Sequence, residues 1–524
     1  MYRLRGSGII LRYMTVRREP CWVCIHGHFY QPPRENPWTG EVEEQPGAAP
    51  YHDWNERITA ECYRPNLSAR ILAPDGSVAE TVNNYARISF NFGPTLLNWL
   101  ERHAADVYVG LLKADRASRK RFGGHGGAIA QAYHHSILPL ANRRDKITEI
   151  VWGLRDFQFR FRRRPEGIWL PETAVDFETL EILAQAGLRF TILSPRQAAR
   201  IRPITGGPWT DVSQSAVDTR RAYRIQLPSG RWLTLFFYDG RIAQDVAFGG
   251  MLTNGGNYAA RLLQTCLEAD PLPALSHVAT DGETYGHHHR FGDMALAYAL
   301  RMVEKHAGAK LTVYGEYLDA AAPVWEVEIF PNTSWSCAHG VERWRSDCGC
   351  QTGAPPGWNQ QWRRPLREAL NWLRDVVAIL YEREAADLLV DPWAARDDYI
   401  TVLLEKTEAS RRRFLKFWGV SGRLKREDRA RIFRLLEIQR HSLMMFTSCG
   451  WFFNDISGIE TIQILRYAAR VIELGGREFG VDLESPFLDR LAEARSNVPE
   501  AGTGRDIYYR DVLAARLEGG KGRA

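Results

Sequence analysis

The stretch Gly167-Ile168-Trp169-Leu170-Pro171-Glu172-Thr173 places a carboxylate directly after an apolar run, with an aromatic ring three residues before it. A second stretch has the same design. There the apolar run 275–279 leads into Asp281 and Glu283, and a run of three histidines follows. Both stretches are typical of a buried strand that ends in reactive side chains.

Short apolar runs of this kind recur along the first two thirds of the chain, at 21–33, 87–94, 190–195 and 233–240. Helical patterns separate them, which predicts a parallel sheet buried on both faces. In a closed β/α barrel the chemistry collects at the carboxyl ends of the strands. The polar residues at those predicted ends are His26, Asn91, Glu172, Asp239 and Asp281.

Two carboxylates at the ends of two strands favour glycosidic bond chemistry. One carboxyl group protonates the leaving oxygen, and the other stabilises or captures the oxocarbenium-like centre. Their surroundings must then keep the two pKa values apart. Glu172 and the downstream carboxylates Asp281 and Glu283 are therefore the candidates for this chemistry.

The ordered set of motifs resembles glycoside hydrolase family 57. His26 to Pro33 resembles the family's first motif, Trp169 to Glu172 the third, and Asp281 to Gly286 the fourth. The resemblance implies an α/β fold, an incomplete (β/α)7-type barrel followed by a C-terminal helical bundle. It also implies a retaining mechanism without a cofactor, acting on an α-glucan or maltooligosaccharide.

The same resemblance assigns roles to residues. Glu172 would be the nucleophile and Asp281 the general acid/base, while His26 or His28 would hydrogen-bond the sugar in the central subsite. The first motif contains two histidines, so the choice between them stays open, as does the choice between hydrolysis and transfer. The further candidates for substrate contact are Gln31, Asn91, Trp169, Asp239, Glu283, His287, Trp335, Trp451 and Asp455.

The chain divides into two parts by pattern. Residues 1–356 are predicted to form the catalytic barrel, with long loop insertions at about 29–65 and 194–229. Residues 357–524 have helical periodicity, with apolar stripes such as the one from Leu366 to Leu380, and predict a helical domain that packs on the barrel.

Four soft ligands lie close together at Cys337, His339, Cys348 and Cys350. Thiolates and an imidazole suit a structural zinc site. The single-residue spacers are tighter than usual, so a loop with free thiols is the favoured interpretation and the metal site the alternative.

Two rival functions remain open. His26, His28 and Asp281 could hold a catalytic metal, as in a carbohydrate deacetylase or a zinc-dependent mannosidase, with a metal-bound water as nucleophile. The second rival function is glucan binding without catalysis, which would apply if the two carboxyl groups lie too far apart to act together.

Composition limits the partners. The formal net charge of +6 is small for 524 residues and its basic residues are interspersed with acidic ones, which argues against a nucleic-acid partner. No apolar run approaches the roughly 20 residues of a membrane span. Residues 1–19 lack a signal-peptide pattern and are predicted to be an irregular leader, so we expect a cytoplasmic protein. The oligomeric state is not predicted.

Overall fold

The computed structural model describes residues 21–267, 273–420, 424–514 and 516, so the predicted leader lies outside the described residues. The strands are β1 (Cys21–Phe29), β2 (Ala69–Leu72), β3 (Val78–Val82), β4 (Ser89–Phe92), β5 (Ala130–Gln131), β6 (Gly167–Trp169), β7 (Phe190–Leu193), β8 (Ala198–Pro203), β9 (Thr210–Asp211), β10 (Ala222–Gln226), β11 (Trp232–Phe237), β12 (Leu275–Asp281), β13 (Ala309–Leu311) and β14 (Trp325–Ile329).

The α-helices of the first part are α1 (Trp54–Ile58), α2 (Arg64–Leu67), α3 (Pro94–His103), α4 (Ala105–Arg121), α5 (Arg143–Phe161), α6 (Phe177–Gln185), α7 (Gly240–Ala247), α8 (Gly255–Leu267), α9 (Gly292–Lys305) and α10 (Tyr314–Ala320). Those that follow are α11 (Arg363–Ala385), α12 (Pro392–Asp398), α13 (Ile400–Glu405), α14 (Glu408–Trp418), α15 (Arg426–Met444), α16 (Cys449–Phe452), α17 (Ile459–Phe479), α18 (Glu484–Leu491) and α19 (Gly504–Ile507). None of the described helices is long and apolar enough to cross a lipid bilayer.

The central strands run parallel around a ring. β1 pairs with β12 on one side and with β4 and β13 on the other. The order continues from β4 through a bridge between Phe90 and Ala128 to β5, and then to β6, β7 and β11. The end of β11 returns to β12, because the backbone N–H of Asp239 donates to the carbonyl of His277 at 2.9 Å. The carboxyl ends of these strands therefore face one side of the ring.

The apolar composition of these strands follows from their burial. All nine residues of β1 are buried, and so are all four of β7. Helices connect most of the parallel strands, as α5 does between β5 and β6. The predicted mixed α/β fold with a helical C-terminal region is confirmed.

The insertion at 194–229, predicted as a loop, instead contains β8, β9 and β10. β10 pairs antiparallel with β11 and parallel with β14, and β14 pairs antiparallel with β8. These backbone hydrogen bonds come from distant partners, which local composition does not reveal. The insertion at 29–65 is mostly loop and ends in α1 and a short π-helical turn, Thr59–Tyr63.

The helical region packs on the ring through α5. The indole N–H of Trp152 donates to the carbonyl of Arg396 at 3.1 Å, and the guanidinium of Arg396 forms a buried ion pair with Asp145 at 2.8 Å. These contacts bring the turn after α15 to the carboxyl ends of the strands, where Ser448 N–H donates to the carbonyl of His135 at 3.0 Å.

Candidate active site

Glu172 lies in a tight turn that follows β6. Its φ angle is +57° and that of Thr173 is +50°, so two residues with side chains adopt left-handed backbone. Each such residue costs about 1–2 kcal/mol. The buried side chain of Gln197 offsets this cost, because it accepts from Thr173 Oγ1 at 2.9 Å and donates to the Thr173 carbonyl at 2.9 Å. The backbone N–H of Trp335 holds the Glu172 carbonyl in the same way, at 2.9 Å.

Two donors hold the carboxylate of Glu172. Trp335 Nε1 donates to Oε2 at 2.9 Å, and Ser336 Oγ donates to the same oxygen at 2.5 Å. Burial raises the pKa of Glu172, and the bonds from Ser336 and Trp335 act in the opposite direction. Trp335 was predicted as a substrate contact. The structure places it in the cleft, with its indole N–H on Glu172 rather than free for a sugar.

Asp281 ends β12, where it is the cross-strand partner of His28 on β1. Its side chain is accessible to solvent, although protein surrounds it on most sides. No hydrogen-bond donor among the described residues reaches its carboxylate. Burial under the walls of the cleft raises the pKa of Asp281 well above its usual range, and the charges of Glu283 and Glu172 raise it further.

Glu283 lies behind Asp281 and was predicted to contact substrate. Its Oε1 instead accepts from the hydroxyl of Tyr63 at 2.6 Å and from the backbone N–H of Tyr30 at 3.0 Å. Burial raises the pKa of Glu283 to about 7, against the lowering effect of these bonds. The structure thus makes Glu283 a buried neighbour of Asp281 rather than an open sugar contact.

Asn91 is the centre of a buried hydrogen-bond network beneath the cleft. Its Oδ1 contacts His26 Nε2 at 3.1 Å, and its Nδ2 reaches Gln131 Oε1 at 2.7 Å and His28 Nδ1 at 2.9 Å. His26 Nδ1 lies 2.9 Å from Ser89 Oγ. With the amide oriented this way, His26 donates from Nε2 and His28 accepts at Nδ1. Burial lowers the pKa of both histidines to about 3, so both rings are neutral.

The network continues into the helical region. His28 Nε2 lies 3.1 Å from His135 Nε2, and His135 Nδ1 lies 2.7 Å from Ser448 Oγ. Burial lowers the pKa of His135 well below its usual range, and its ring stacks on Tyr30 at 3.7 Å between centroids. His135 and Ser448 were not predicted. His135 has a φ angle of +58° in a loop without periodicity, and Ser448 comes from a distant helix end.

Trp169, a predicted substrate contact, lies beneath the site rather than open to it. Its ring is fully buried and stacks on His26 at 5.0 Å and on His28 at 4.9 Å. These ring contacts place its side chain beneath the two histidines of β1. It also contacts the edge of Trp335 at 5.0 Å.

The segment after α15 reaches the cleft through a different residue from those predicted. Trp451 is fully buried in the helical core, where its indole N–H donates to the carbonyl of Arg363 at 3.3 Å. Asp455 accepts from Ser496 Oγ at 2.7 Å and from Asn497 N–H at 2.6 Å, which fixes a loop. The structure therefore gives Trp451 a packing role in the helical core and gives Asp455 the role of fixing a loop, and it brings neither to Glu172 or Asp281.

Three other predicted contacts lie at the rim with protein partners. His287 Nδ1 bonds to Glu61, and Gln31 accepts from Arg34 at 3.0 Å. Asp239 caps the N-terminus of α7 by accepting from two backbone N–H groups at 2.9 and 3.0 Å. None of these contacts is with Glu172 or Asp281.

The geometry of the possible metal ligands favours a site away from His26 and His28. Both ring nitrogens of His26 and of His28 already have protein partners in the network. Within the described part of the chain, one group of three or more ligating residues has its atoms close enough for an ion: Cys337, His339, Cys348 and Cys350.

Two family models match the chain. Residues 124–329 match glycosyl hydrolase family 57, and residues 358–521 match a domain of unknown function, DUF3536. The first match contains both Glu172 and Asp281. No curated protein sequence matches the chain significantly.

Solved structures with a similar fold include three carbohydrate-active enzymes. An exo-type maltose-forming amylase from Pyrococcus sp. ST04 has a TM-score of 0.68 at 14% identity, over 90% of this chain and 82% of that one. A GH57-type branching enzyme from Pyrococcus horikoshii has a TM-score of 0.57 at 15% identity, over 95% and 96%. A 4-α-glucanotransferase from Thermococcus litoralis has a TM-score of 0.52 at 14% identity, over 88% and 60%. At these identities the likeness is one of fold.

Proposed function

We propose a function from the premise that residues 124–329 of this chain belong to glycoside hydrolase family 57. The protein is a retaining carbohydrate-active enzyme that cleaves or transfers α-glucosidic bonds of α-glucans through a glycosyl-enzyme intermediate. The observation that carries this proposal is the contrast between two carboxyl groups in one cleft. Glu172 accepts two hydrogen bonds, while Asp281 accepts none from the described residues.

The contrast assigns the roles. A carboxylate that accepts charge-assisted hydrogen bonds stays ionised and can attack an anomeric carbon. A carboxyl group that is partly desolvated and lies beside other negative charges keeps its proton more readily. Asp281 is open to solvent on one side, yet the surrounding protein and the charge of Glu283 raise its pKa.

The reaction then has two steps. In the first, a Glu172 oxygen bonds to the anomeric carbon as the bond to the leaving oxygen breaks, and Asp281 gives that oxygen its proton. In the second, Asp281 takes a proton from the acceptor, whose oxygen displaces Glu172 from the sugar. Water as acceptor gives hydrolysis, and a sugar hydroxyl gives transfer.

His28 is the histidine that meets the substrate. It is the cross-strand partner of Asp281 and retains slight exposure, whereas His26 is fully buried between Ser89 and Asn91. A sugar hydroxyl would replace His135 as the partner of His28 Nε2, and the neutral imidazole brings no competing charge to the site. His26 acts through Asn91, which fixes the ring of His28.

The ring of parallel strands corresponds to the incomplete (β/α)7-type barrel, with residues 1–356 as the catalytic domain and 357–524 as a helical domain packed on it. The hydrogen bond from Asp239 N–H to the His277 carbonyl, which links β11 to β12, supports closure. The separate match of residues 358–521 to its own family model supports the boundary. A cytoplasmic location stays a prediction.

A time course on amylose and maltooligosaccharides tests the proposal. Chelator-treated wild type and Glu172→Gln are compared, with reducing ends and product sizes followed together. We expect the treated wild type to retain activity far above that of the variant, even if removal of a structural metal lowers its rate, and we expect an α-anomeric product by NMR. A β-anomeric product would contradict retention, and the ratio of new reducing ends to redistributed chains separates hydrolysis from transfer.

A further inference from the structure

The loop between β14 and α11 brings together four soft ligands that the glycosidic mechanism does not use. Cys337 Sγ lies 3.9 Å from Cys348 Sγ and 3.8 Å from Cys350 Sγ, and Cys350 Sγ lies 3.6 Å from His339 Nδ1. All four ligand atoms lie within 4.8 Å of one another. The three thiols are free, so these separations are not those of a disulfide.

These separations match a tetrahedral metal site. With Zn–S near 2.3 Å and Zn–N near 2.0–2.1 Å, a regular tetrahedron separates two sulfurs by about 3.8 Å and a sulfur from a nitrogen by about 3.6 Å. The three ligand-to-ligand distances just given agree with these values. Three thiolates and an imidazole are also the ligands that favour zinc.

The backbone explains how such short spacers can work. Gly349, between Cys348 and Cys350, has a φ angle of +76°, and Gly340, directly after His339, has a φ angle of +81°. Both are left-handed conformations that glycine adopts without steric cost. Gly349 lets the chain turn sharply between Cys348 and Cys350, and Gly340 lets it turn directly after His339.

A buried guanidinium beside the cluster is the second, independent observation. Arg363 is fully buried, and its Nη1 donates to Cys348 Sγ at 3.8 Å. Nowhere in the described part of the chain does a carboxylate lie within ion-pair distance of it. A buried cation without a counter-charge is costly. One divalent ion with three thiolates and a neutral imidazole carries one net negative charge, which is the partner that Arg363 lacks.

We propose that Cys337, His339, Cys348 and Cys350 bind one structural Zn²⁺ ion. The site also positions the nucleophile, because Trp335 and Ser336 directly precede the first ligand. The metal ion holds the end of the segment that contains Trp335 and Ser336, and the side chains of these two residues donate to Glu172. Arg363 extends the same anchor to the helical region by donating to the carbonyl of Phe453 at 3.2 Å.

Metal content tests the site without reference to activity. The full-length protein is purified with added Zn²⁺, and its zinc is measured by mass spectrometry beside Cys350→Ser, Cys348→Ser and the matched control Cys24→Ala, a buried thiol outside the cluster. We expect one zinc per chain in wild type and control and a loss in both serine variants. Wild type without stoichiometric zinc would overturn the proposal.

Spectroscopy on the wild type covers the case in which the serine variants fail to fold. Zinc-edge absorption is expected to give three sulfur neighbours and one nitrogen, and Co²⁺ alone, added to metal-free protein, is expected to give the absorption bands of a tetrahedral thiolate site. An oxygen-rich shell or an octahedral Co²⁺ spectrum would overturn the assignment.

The positioning role has its own readout. Removal of the metal is expected to lower kcat by about 10- to 100-fold, with KM little changed and with recovery on adding Zn²⁺, because a small displacement of a reacting group costs about this much. An unchanged kcat in protein shown to be metal-free would overturn the positioning role while the site itself stands.

Discussion

The turn after β6 and the end of β12 present their carboxylates in opposite ways. Glu172 lies on a left-handed turn that Gln197 and the backbone of Trp335 hold, and two side chains donate to its carboxylate. Asp281 extends from a regular strand into the cleft, and negative charges are its nearest ionic neighbours. The same functional group therefore acquires different chemistry from the donors around it.

The largest effect on the catalytic rate is expected from removing the charge of Glu172, the carboxylate that accepts two hydrogen bonds. Glu172→Gln keeps the size of the side chain but removes the attacking oxygen's charge. We expect kcat to fall on the order of 10⁴- to 10⁶-fold, as when the nucleophile of other hydrolases is removed. Steady-state rates on a maltooligosaccharide test this, with circular dichroism as the folding control. A loss below 10-fold would contradict the assignment of Glu172.

Asp281→Asn is expected to have a smaller effect that depends on the leaving group. General acid catalysis contributes about 10²- to 10⁴-fold, so natural substrates should lose that much. An α-glucosyl fluoride, whose leaving group needs little protonation, should lose far less in glycosyl-enzyme formation. Equal losses on both substrates would show that Asp281 is not the acid.

Trp335→Phe sharpens the comparison at Glu172. It removes one donor from a carboxylate, a hydrogen bond worth about 1.5–3 kcal/mol. Because the bonds from Trp335 and Ser336 lower the pKa of Glu172, losing one raises this pKa. The nucleophile must be ionised, so the acidic limb of the rate profile should move to higher pH. Ser336→Ala should move it the same way, and a shift to lower pH in either variant would contradict the account.

Glu283→Gln tests the same comparison at Asp281, and its expected effect on the rate profile is the smallest. The negative charge of Glu283 raises the pKa of Asp281, so neutralising it should lower that pKa. The acid must be protonated, and the alkaline limb should therefore move to lower pH. Glu283 has a pKa of about 7, so the variants should differ mainly above that pH. If the alkaline limb of the rate profile is the same in Glu283→Gln and wild type, Glu283 does not influence the pKa of Asp281 during catalysis.

The proposed catalytic pair was accessible to sequence reasoning because strand ends leave a local signature. An apolar run followed by Glu172 or Asp281 is visible in one dimension, and the geometry of parallel strands brings such ends together. Asn91 and His28 were also singled out because they lie at the ends of predicted strands. The fold class was predictable for the same reason, since buried strands and amphipathic helices have different periods.

The residues that hold the pair were not predictable in this way. Gln197 ends a short 3₁₀ helix, Ser336 lies in a loop, and Ser448 lies 313 residues from its partner His135. No periodicity links such positions, because tertiary packing alone brings them together. The opposite situation holds for Trp451 and Asp455, which lie in a glycine-containing segment that suggested substrate contact. In the structure Trp451 fills a helical core and Asp455 fixes a loop.

Trapping the glycosyl-enzyme intermediate tests the central claim most directly. Asp281→Asn is incubated with a maltosyl fluoride, so that the intermediate forms but is slow to react with an acceptor. The protein is then quenched in acid, digested and analysed by mass spectrometry. The account predicts a maltosyl ester on Glu172 in the peptide that contains residues 167–173, and a sugar on another residue, or turnover without any adduct, would contradict it.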